Sequence, residues 1–302
     1  MRNTLKIATR KSKLALWQAQ FVADQLKVYF PEIETMFVEI TTEGDRQQTV
    51  ALDHIGGKSV FVKALQEALL QNQADIAVHS MKDMSVHDTA GLCIGAVCKR
   101  HDPRDAFVSK KYDRIATLPP QAIVGTGSPR RSCLLKSLRP DVTIKLLRGN
   151  VDTRLLKCDR GEYDAIIVAA AGLERLQLTA HVREYLSPTI FTPAIAQGAI
   201  AVECRVADDA LCEKLKKLED NNTALCVTAE RTVNRILQGD CHTAIGAYAV
   251  ISDNALHLNA MVGDEQCGEI LRASCMGQKD EAAAIGETVA QILLTQGAKK
   301  LL

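Results

Sequence analysis

Between Arg130 and Arg154 the chain reads RRSCLLKSLRPDVTIKLLRGNVDTR, seven lysines or arginines against two aspartates, in a protein whose formal net charge is only +1. Arginine stays charged and grips carboxylates or phosphates through a planar fork. The run follows AIVGTGS, an apolar stretch ending in small residues. That pattern predicts a strand, a loop and then a helix N-terminus, where backbone N–H groups also attract anions. Arg130, Arg131 and Arg148 would each stand just beyond a strand end, the edge at which open α/β sheets bind ligands. A solvated basic helix face has the same composition, and charge alone favours it. Placement favours a pocket for a small molecule carrying many negative groups.

Other residue sets point to chemistry. DIAVHSMKD puts Lys82 and Asp83 directly after an apolar run. A carboxylate held ionised there could stabilise a cation or move a proton, although a surface ion pair looks the same in sequence. His79, inside the run, reads as a hydrogen-bonded core residue. Near the N-terminus, ATRKSK offers Thr9, Arg10 and Ser12 at a strand-to-helix turn, again an anion-binding arrangement. Ser12 seen alone reads as an N-cap. Cys241, in LQGDCHTAIGAY, follows a long helix in a loop, where a thiol is accessible. From position it is a nucleophile, a covalent attachment point or an incidental loop thiol. GxxxxGK[ST] and GxGxxG are both absent, so nucleotide binding is unsupported.

These residues need rigid elements to position them. The chain has 302 residues, 47% hydrophobic and 24% charged, with 37 basic against 36 acidic side chains. This describes two or three globular domains, and neither a general nucleic-acid binder nor a membrane-surface protein. No apolar run is long enough to span a membrane, and MRNTLKIATR lacks a signal-peptide pattern. The ten cysteines are scattered, form no CxxC and have no histidine at zinc-ligand spacing, so no metal site is expected. Most lie in apolar runs, which fits a reducing cytoplasm.

Short β runs alternate with helical patterns over the first two hundred residues, which predicts parallel, helix-covered sheets. Leu14, Trp17 and Phe21 fall on one face of the first predicted helix, with Leu26 nearby. A break at CKRHDPRD separates a second α/β unit, and TPAIAQGAIAVECR could return to the first sheet. Two such units with the chain crossing between them commonly form a hinged cleft. After about Asn221 come a helix with Leu225, Ala229, Val233 and Leu237 on one face, three alternating segments and a terminal helix. That is a small α+β domain.

The ordered motifs IATRKSKLALWQA, ADIAVHSMKD, DPRDAFVS, VGTGSPRR, LRGNVDTRL, PAIAQGAIAVECR and TAERTVNRILQGDC resemble the porphobilinogen deaminase (hydroxymethylbilane synthase) family across essentially the whole chain. The resemblance implies an α/β fold of two periplasmic-binding-protein-like (type II) domains forming a cleft, plus a small α+β C-terminal domain. The implied domains are 1–98 with 199–216, 99–198, and 217–302. It further implies a transferase that condenses four porphobilinogen molecules into hydroxymethylbilane, with a covalent dipyrromethane cofactor on Cys241 and Asp83 as the catalytic aspartate. By the same resemblance the cofactor is also held by Lys82, Asp83, Thr126, Ser128, Arg130, Arg131 and Arg148. Substrate carboxylates fall to Arg10, Ser12, Arg148, Arg154 and Arg175. The segment between Asp45 and Lys58 is an expected lid. A cytoplasmic monomer, with no metal, nucleic-acid or membrane partner, completes the expectation.

The sequence departs from the family at GDCHTAIG, where GGC and a short apolar-Pro stretch are commoner, and at Pro129 and MSV after Asp83. Two other classes compete. An anion-binding module explains two α/β units but has no use for Asp83 and Cys241 together. A thiol enzyme would want a general-base histidine, and His242 is poorly placed beside the cysteine.

Overall fold

The computed structural model describes residues 4–40, 59–239, 243–264 and 269–302. The expected lid at 45–58 and the cysteine at 241 lie outside the described residues. Two compact units emerge, 1–101 with 199–224, and 102–198 with 225–302.

The first unit is built on one sheet. Strand β1 (Thr4–Arg10) pairs in parallel with β2 (Glu34–Ile40) and β3 (Ile76–Ser80). Beyond β3 lies β10 (Ile200–Arg205), antiparallel to it and to β4 (Leu92–Val97), giving the order β2-β1-β3-β10-β4. PAIAQGAIAVECR thus does return to the first sheet. Helix α1 (Lys13–Tyr29) starts where the Ser12 hydroxyl accepts from Ala15 N and ends as Phe30 N bonds Leu26 O, just before Pro31. Its buried stripe is Gln18, Ala19, Val22, Ala23 and Leu26, not the expected Leu14–Trp17–Phe21 face. Those three are half-buried on the neighbouring face, where Trp17 stacks on Phe21 at 5.5 Å. Small residues let the helix approach the sheet, and the large aromatics fill the rim. Removing Val22 and Leu26 from water contributes ~1.5–3 kcal/mol each. Helix α2 (Ser59–Leu70) packs Leu65 and Leu69 on Ala8, Ala77 and Leu92.

The second unit repeats the plan. Strands β6 (Ile123–Thr126), β7 (Thr143–Leu146) and β8 (Ala165–Ala169) are parallel, and β5 (Asp105–Val108) runs antiparallel between β8 and β9 (Val182–Tyr185). The order is β7-β6-β8-β5-β9. Helices α3 (Pro129–Leu138), α4 (Val151–Asp159) and the short α5 (Ala170–Arg175) follow β6, β7 and β8. In the first unit α6 (Asp209–Leu215) follows β10. From Leu225 onward helix α7 (Asn221–Leu237) belongs to the second unit, which also carries the antiparallel sheet β11 (Ala244–Ser252), β12 (Ala255–Gly263) and β13 (Ile270–Gln278), and helix α8 (Ala282–Thr295). Ala229, Val233 and Leu237 of α7 are buried against this sheet and α8. Among the described residues no helix is long and apolar enough to cross a membrane.

Candidate functional site

Both α/β sheets share a switch point. β1 and β3, like β6 and β8, are adjacent parallel strands whose connections leave in opposite directions. Ligands of open α/β sheets sit at the carboxyl ends of such strands. Arg10, Ser12, Lys82, Asp83, Thr126, Ser128, Arg130 and Arg131 lie at these ends, whereas Arg148 and Arg154 follow the neighbouring strand β7 and Arg175 ends the helix after β8.

In the first unit, Arg10 ends β1 and Ser12 caps α1. At the end of β3, Met81–Asp83 form a single 3₁₀ turn that presents Lys82 and Asp83, both half-buried. The turn is pinned from below. Met81 is 2% exposed and its N–H bonds Ala199 O at 3.1 Å, while Gln18 of α1 donates to Ser80 Oγ at 2.8 Å. His79 is a buried core residue as expected, 3.0 Å from Glu203, whose other oxygen accepts from Gln66 at 2.8 Å.

In the second unit, β6 ends in Thr126, which is buried and accepts from Ser128 N at 3.2 Å. Ser128 precedes α3, and Pro129 at the first helical position suits the start, where no N–H is needed. Arg130 and Arg131 follow in that first turn and turn inward, 3% and 6% exposed. One fully buried carboxylate, Asp105 at the start of β5, meets both: Arg130 Nη2 at 2.8 Å and Arg131 Nη2 at 2.6 Å. Arg130 Nη1 also donates to Thr192 O at 2.6 Å, and Arg131 donates to Ile167 O at 3.0 Å and Gln197 Oε1 at 3.5 Å. With Nε on Asp105 as well, Arg131 spends nearly all its donors inside the fold. Among the described residues Arg130 Nε has no partner.

Burial by itself would raise the Asp105 carboxyl, but Arg130 and Arg131 outweigh it and hold the group well below the usual carboxylate range. Burial pushes Arg130 the other way, below its ordinary value, with Asp105 opposing. The two directions describe one unequal cluster. Asp105 faces two cations, whereas Arg130 faces one anion and a second cation. Arginine remains charged at neutral pH regardless.

Arg148 stands beyond the end of β7, half-buried. Gly149 follows at φ +111, a conformation that favours glycine, and its carbonyl accepts from Arg154 Nε at 2.7 Å. Arg154 is thereby drawn back over the start of α4. Arg175 ends α5, is 5% exposed, and donates to Gly198 O at 2.7 Å. The structure thus brings Thr126, Ser128, Arg130, Arg131, Arg148 and Arg154 to one strand edge, with Arg175 one short helix further on.

The flanks of Cys241 belong to this same unit. Helix α7 is fixed by Glu230, fully buried, whose two oxygens accept from Ala196 N at 2.7 Å and Ala249 N at 2.8 Å. β11 begins at Ala244 and packs against α3 through Gly246. A Cβ at Gly246 would lie 3.0 Å from Arg130 Cδ and 2.9 Å from Pro193 O. Strand β11, which follows the cysteine in sequence, therefore rests on the stem of Arg130.

Sequence reasoning missed Asp105, Gln197, Thr192 and Gly246. Only Asp105 carried a signal, an acidic residue opening the apolar strand DAFV.

A family model described as porphobilinogen deaminase, dipyromethane cofactor binding domain, matches residues 5–213, and one described as porphobilinogen deaminase, C-terminal domain, matches 224–295. Porphobilinogen deaminases of Coxiella burnetii strains Dugway 5J108-111 and CbuG_Q212 are each 50% identical over 301 residues, covering 100% of this chain and 97% of the relative. Solved structures with some likeness include the Bordetella pertussis BvgS VFT2 domain, 12% identical with a TM-score of 0.45 over 72% of this chain and 87% of that one. A periplasmic substrate-binding protein of a Coxiella burnetii ABC transporter, also 12% identical, has a TM-score of 0.45 over 75% of this chain and 96% of its own.

Proposed function

The chain belongs to the porphobilinogen deaminase family, and from that premise we propose how its residues share the work. It is a transferase, a hydroxymethylbilane synthase of tetrapyrrole biosynthesis. Four porphobilinogen molecules are joined head to tail with release of ammonia, and the cofactor is dipyrromethane. When bound, that cofactor supplies the free pyrrole carbon to which the first substrate is joined.

Each pyrrole carries an acetate and a propionate, so a cofactor of two rings brings four carboxylates. The donor set of the second unit fits such a group. Its buried charged side chains are Arg130, Arg131 and Arg175 against Asp105 and Glu230, a surplus of one positive charge (3 − 2) among the described residues. Beside Asp105 itself, two guanidinium groups, Arg130 and Arg131, face one carboxylate.

In the proposed division, Cys241 holds the cofactor covalently. Arg130 and Arg148 bind its carboxylates and Arg131, most of whose donors go to Asp105, Ile167 and Gln197, adds its charge to theirs, with Thr126 and Ser128 donating from the turn before α3 and Lys82 contributing a further cation. Arg10, Ser12, Arg154 and Arg175, together with Arg148, hold incoming and growing chain. Each charge-assisted hydrogen bond is worth ~1.5–3 kcal/mol. Asp83 is the catalytic residue. Its carboxylate stabilises the cation left when ammonia departs from the aminomethyl carbon of porphobilinogen, and takes part in moving the pyrrole protons. The remaining parts of the proposal are a three-domain division (1–98 with 199–216, 99–198, 217–302) and a monomer working in the cytoplasm without nucleic-acid or membrane partners.

The observation that carries this assignment is the presence of Asp83 and the arginines at the two switch points. The test is intact mass and peptide mapping of protein from cells that make porphobilinogen. An adduct of two deaminated porphobilinogen units on Cys241 is expected, lost in Cys241→Ser and kept in Cys226→Ser. An unmodified mass, or an adduct on another cysteine, would refute the attachment.

A further inference from the structure

Three cysteines far apart in sequence meet in the first unit, away from every residue assigned above. Cys93 on β4 and Cys204 on β10 are direct cross-strand partners, and Cys212 descends onto them from α6. Their sulfurs form a closed triangle: 3.7 Å from Cys93 to Cys204, 3.9 Å from Cys93 to Cys212, and 3.5 Å from Cys204 to Cys212. Cys204 is fully buried at the base, whereas Cys93 and Cys212 are half-buried and form the outer side. Helix α6 is held in place by Asp208, which accepts from Leu211 N at 3.2 Å, and by Leu215 packed in the core. Next to the triangle, Gly95 has no side chain to intrude, since a Cβ there would lie 3.1 Å from Cys204 Sγ.

We infer that this triangle is a binding site for one thiophilic d¹⁰ cation of the zinc group. Three thiolates on a tetrahedral zinc-like ion, with metal–sulfur bonds of ~2.3 Å, stand ~3.8 Å apart. A planar three-coordinate ion at the same bond length would need ~4.0 Å. The observed edges, 3.5, 3.7 and 3.9 Å, match the tetrahedral case, in which the ion rides on the outer side and keeps a fourth position for water. Soft sulfur donors select such an ion over calcium or magnesium. Binding converts three thiols and M²⁺ into an M(thiolate)₃ unit of charge −1 and releases three protons to solvent. Lys216 lies within electrostatic reach of Cys212 and offsets part of that charge.

The alternative is that three small hydrophobes happen to pack. The site is also distinct from the reaction centre. Ser80, one turn before Asp83, pairs with Ile200, whereas Cys204 pairs with Ile76 at the opposite end of β3. Four residues of strand put ~13 Å between the two ends. The ion's expected effect is therefore on the stability of the first unit rather than on turnover.

Cadmium is the probe, added to metal-free holoenzyme in which the cofactor occupies Cys241. A thiolate-to-cadmium ultraviolet band of three-thiolate intensity should saturate at one ion per chain, and zinc in large excess should compete and weaken the apparent cadmium affinity. The melting temperature should rise with the same stoichiometry. Cys93→Ser and Cys212→Ser, conservative changes at half-buried positions, should each lower the band to two thiolates and weaken binding tenfold or more. Cys275→Ser should change neither. Absence of the band in the unmutated protein, or its full retention in either Cys93→Ser or Cys212→Ser, would overturn the site.

Discussion

The buried charge cluster yields the most quantitative prediction. Asp105→Asn keeps the size and one acceptor of the side chain but removes the negative charge that Arg130 and Arg131 share at 2.8 and 2.6 Å. In cofactor-free protein, prepared with Cys241→Ser in both forms, two guanidinium ions then remain in a dry site with no anion beside them. Breaking a buried pair from one side costs about 3–5 kcal/mol, because the surviving charge is uncompensated. The second unit has about 175 residues, and in a domain of that size each kcal/mol moves the melting temperature by about 2–4 °C, so a drop of about 6–20 °C is expected. Calorimetry or circular dichroism at pH 7 measures it. The pH dependence supplies a second check. The folded carboxyl lies below its unfolded value, so the stabilisation is fully present above the unfolded pKa of about 3.9 and is lost as pH falls toward the folded value. The gap between the two proteins should be flat from about pH 5 to pH 8 and shrink below about pH 4. Pairing Asp105→Asn with Arg131→Met should cost less than the sum of the two changes, since they share one interaction. A loss at pH 7 under about 1 kcal/mol would refute the reasoning, because that is the scale of an exposed pair.

Asp83→Asn should fold and still bind substrate yet extend the chain at least ~10²-fold more slowly, the scale of removing one preorganised charge; near-normal turnover would remove Asp83 from its role. Arg10→Leu and Arg154→Leu should keep the cofactor and stall elongation, visible by mass spectrometry as a ladder truncated at particular ring numbers; complete ladders would reduce these arginines to a diffuse field. Gly246→Ala should destabilise the second unit by about 1–3 kcal/mol and impair cofactor loading, because the added Cβ presses on Pro193 O and the Arg130 stem; an unchanged melting temperature with full loading would show that the strand simply shifts.

Local signals carried well from sequence to structure. ATRKSK, HSMKD, GTGSPRR and LRGN each place charged or hydroxyl residues within a few positions of an apolar run. All four lie at strand ends, because the end of a strand is where a chain can be polar without unsettling the core. Pairings across the chain were not legible. The Asp105–Arg131 contact spans 26 positions, and neither residue shows that the other neutralises it. Within the basic stretch, Arg130 and Arg131 therefore read as equivalent donors. In fact Arg131 is largely spent on Asp105, Ile167 and Gln197, while Arg130 keeps Nε without a partner among the described residues. The same blindness hid the thiol triangle, since spacing rules find ligands close in sequence and Cys93 reaches Cys204 only through antiparallel pairing. The face of α1 was displaced for another reason. Gln18, Ala19, Val22, Ala23 and Leu26 face the sheet, while the aromatics Trp17 and Phe21 pack against the flank of the same core. Such errors do not move the site, because strand ends fix it whichever way the helices roll. What they conceal is the division of labour among the arginines. That division depends on which guanidinium the fold has already claimed, and here Asp105 claims both Arg130 and Arg131 but satisfies only one of them.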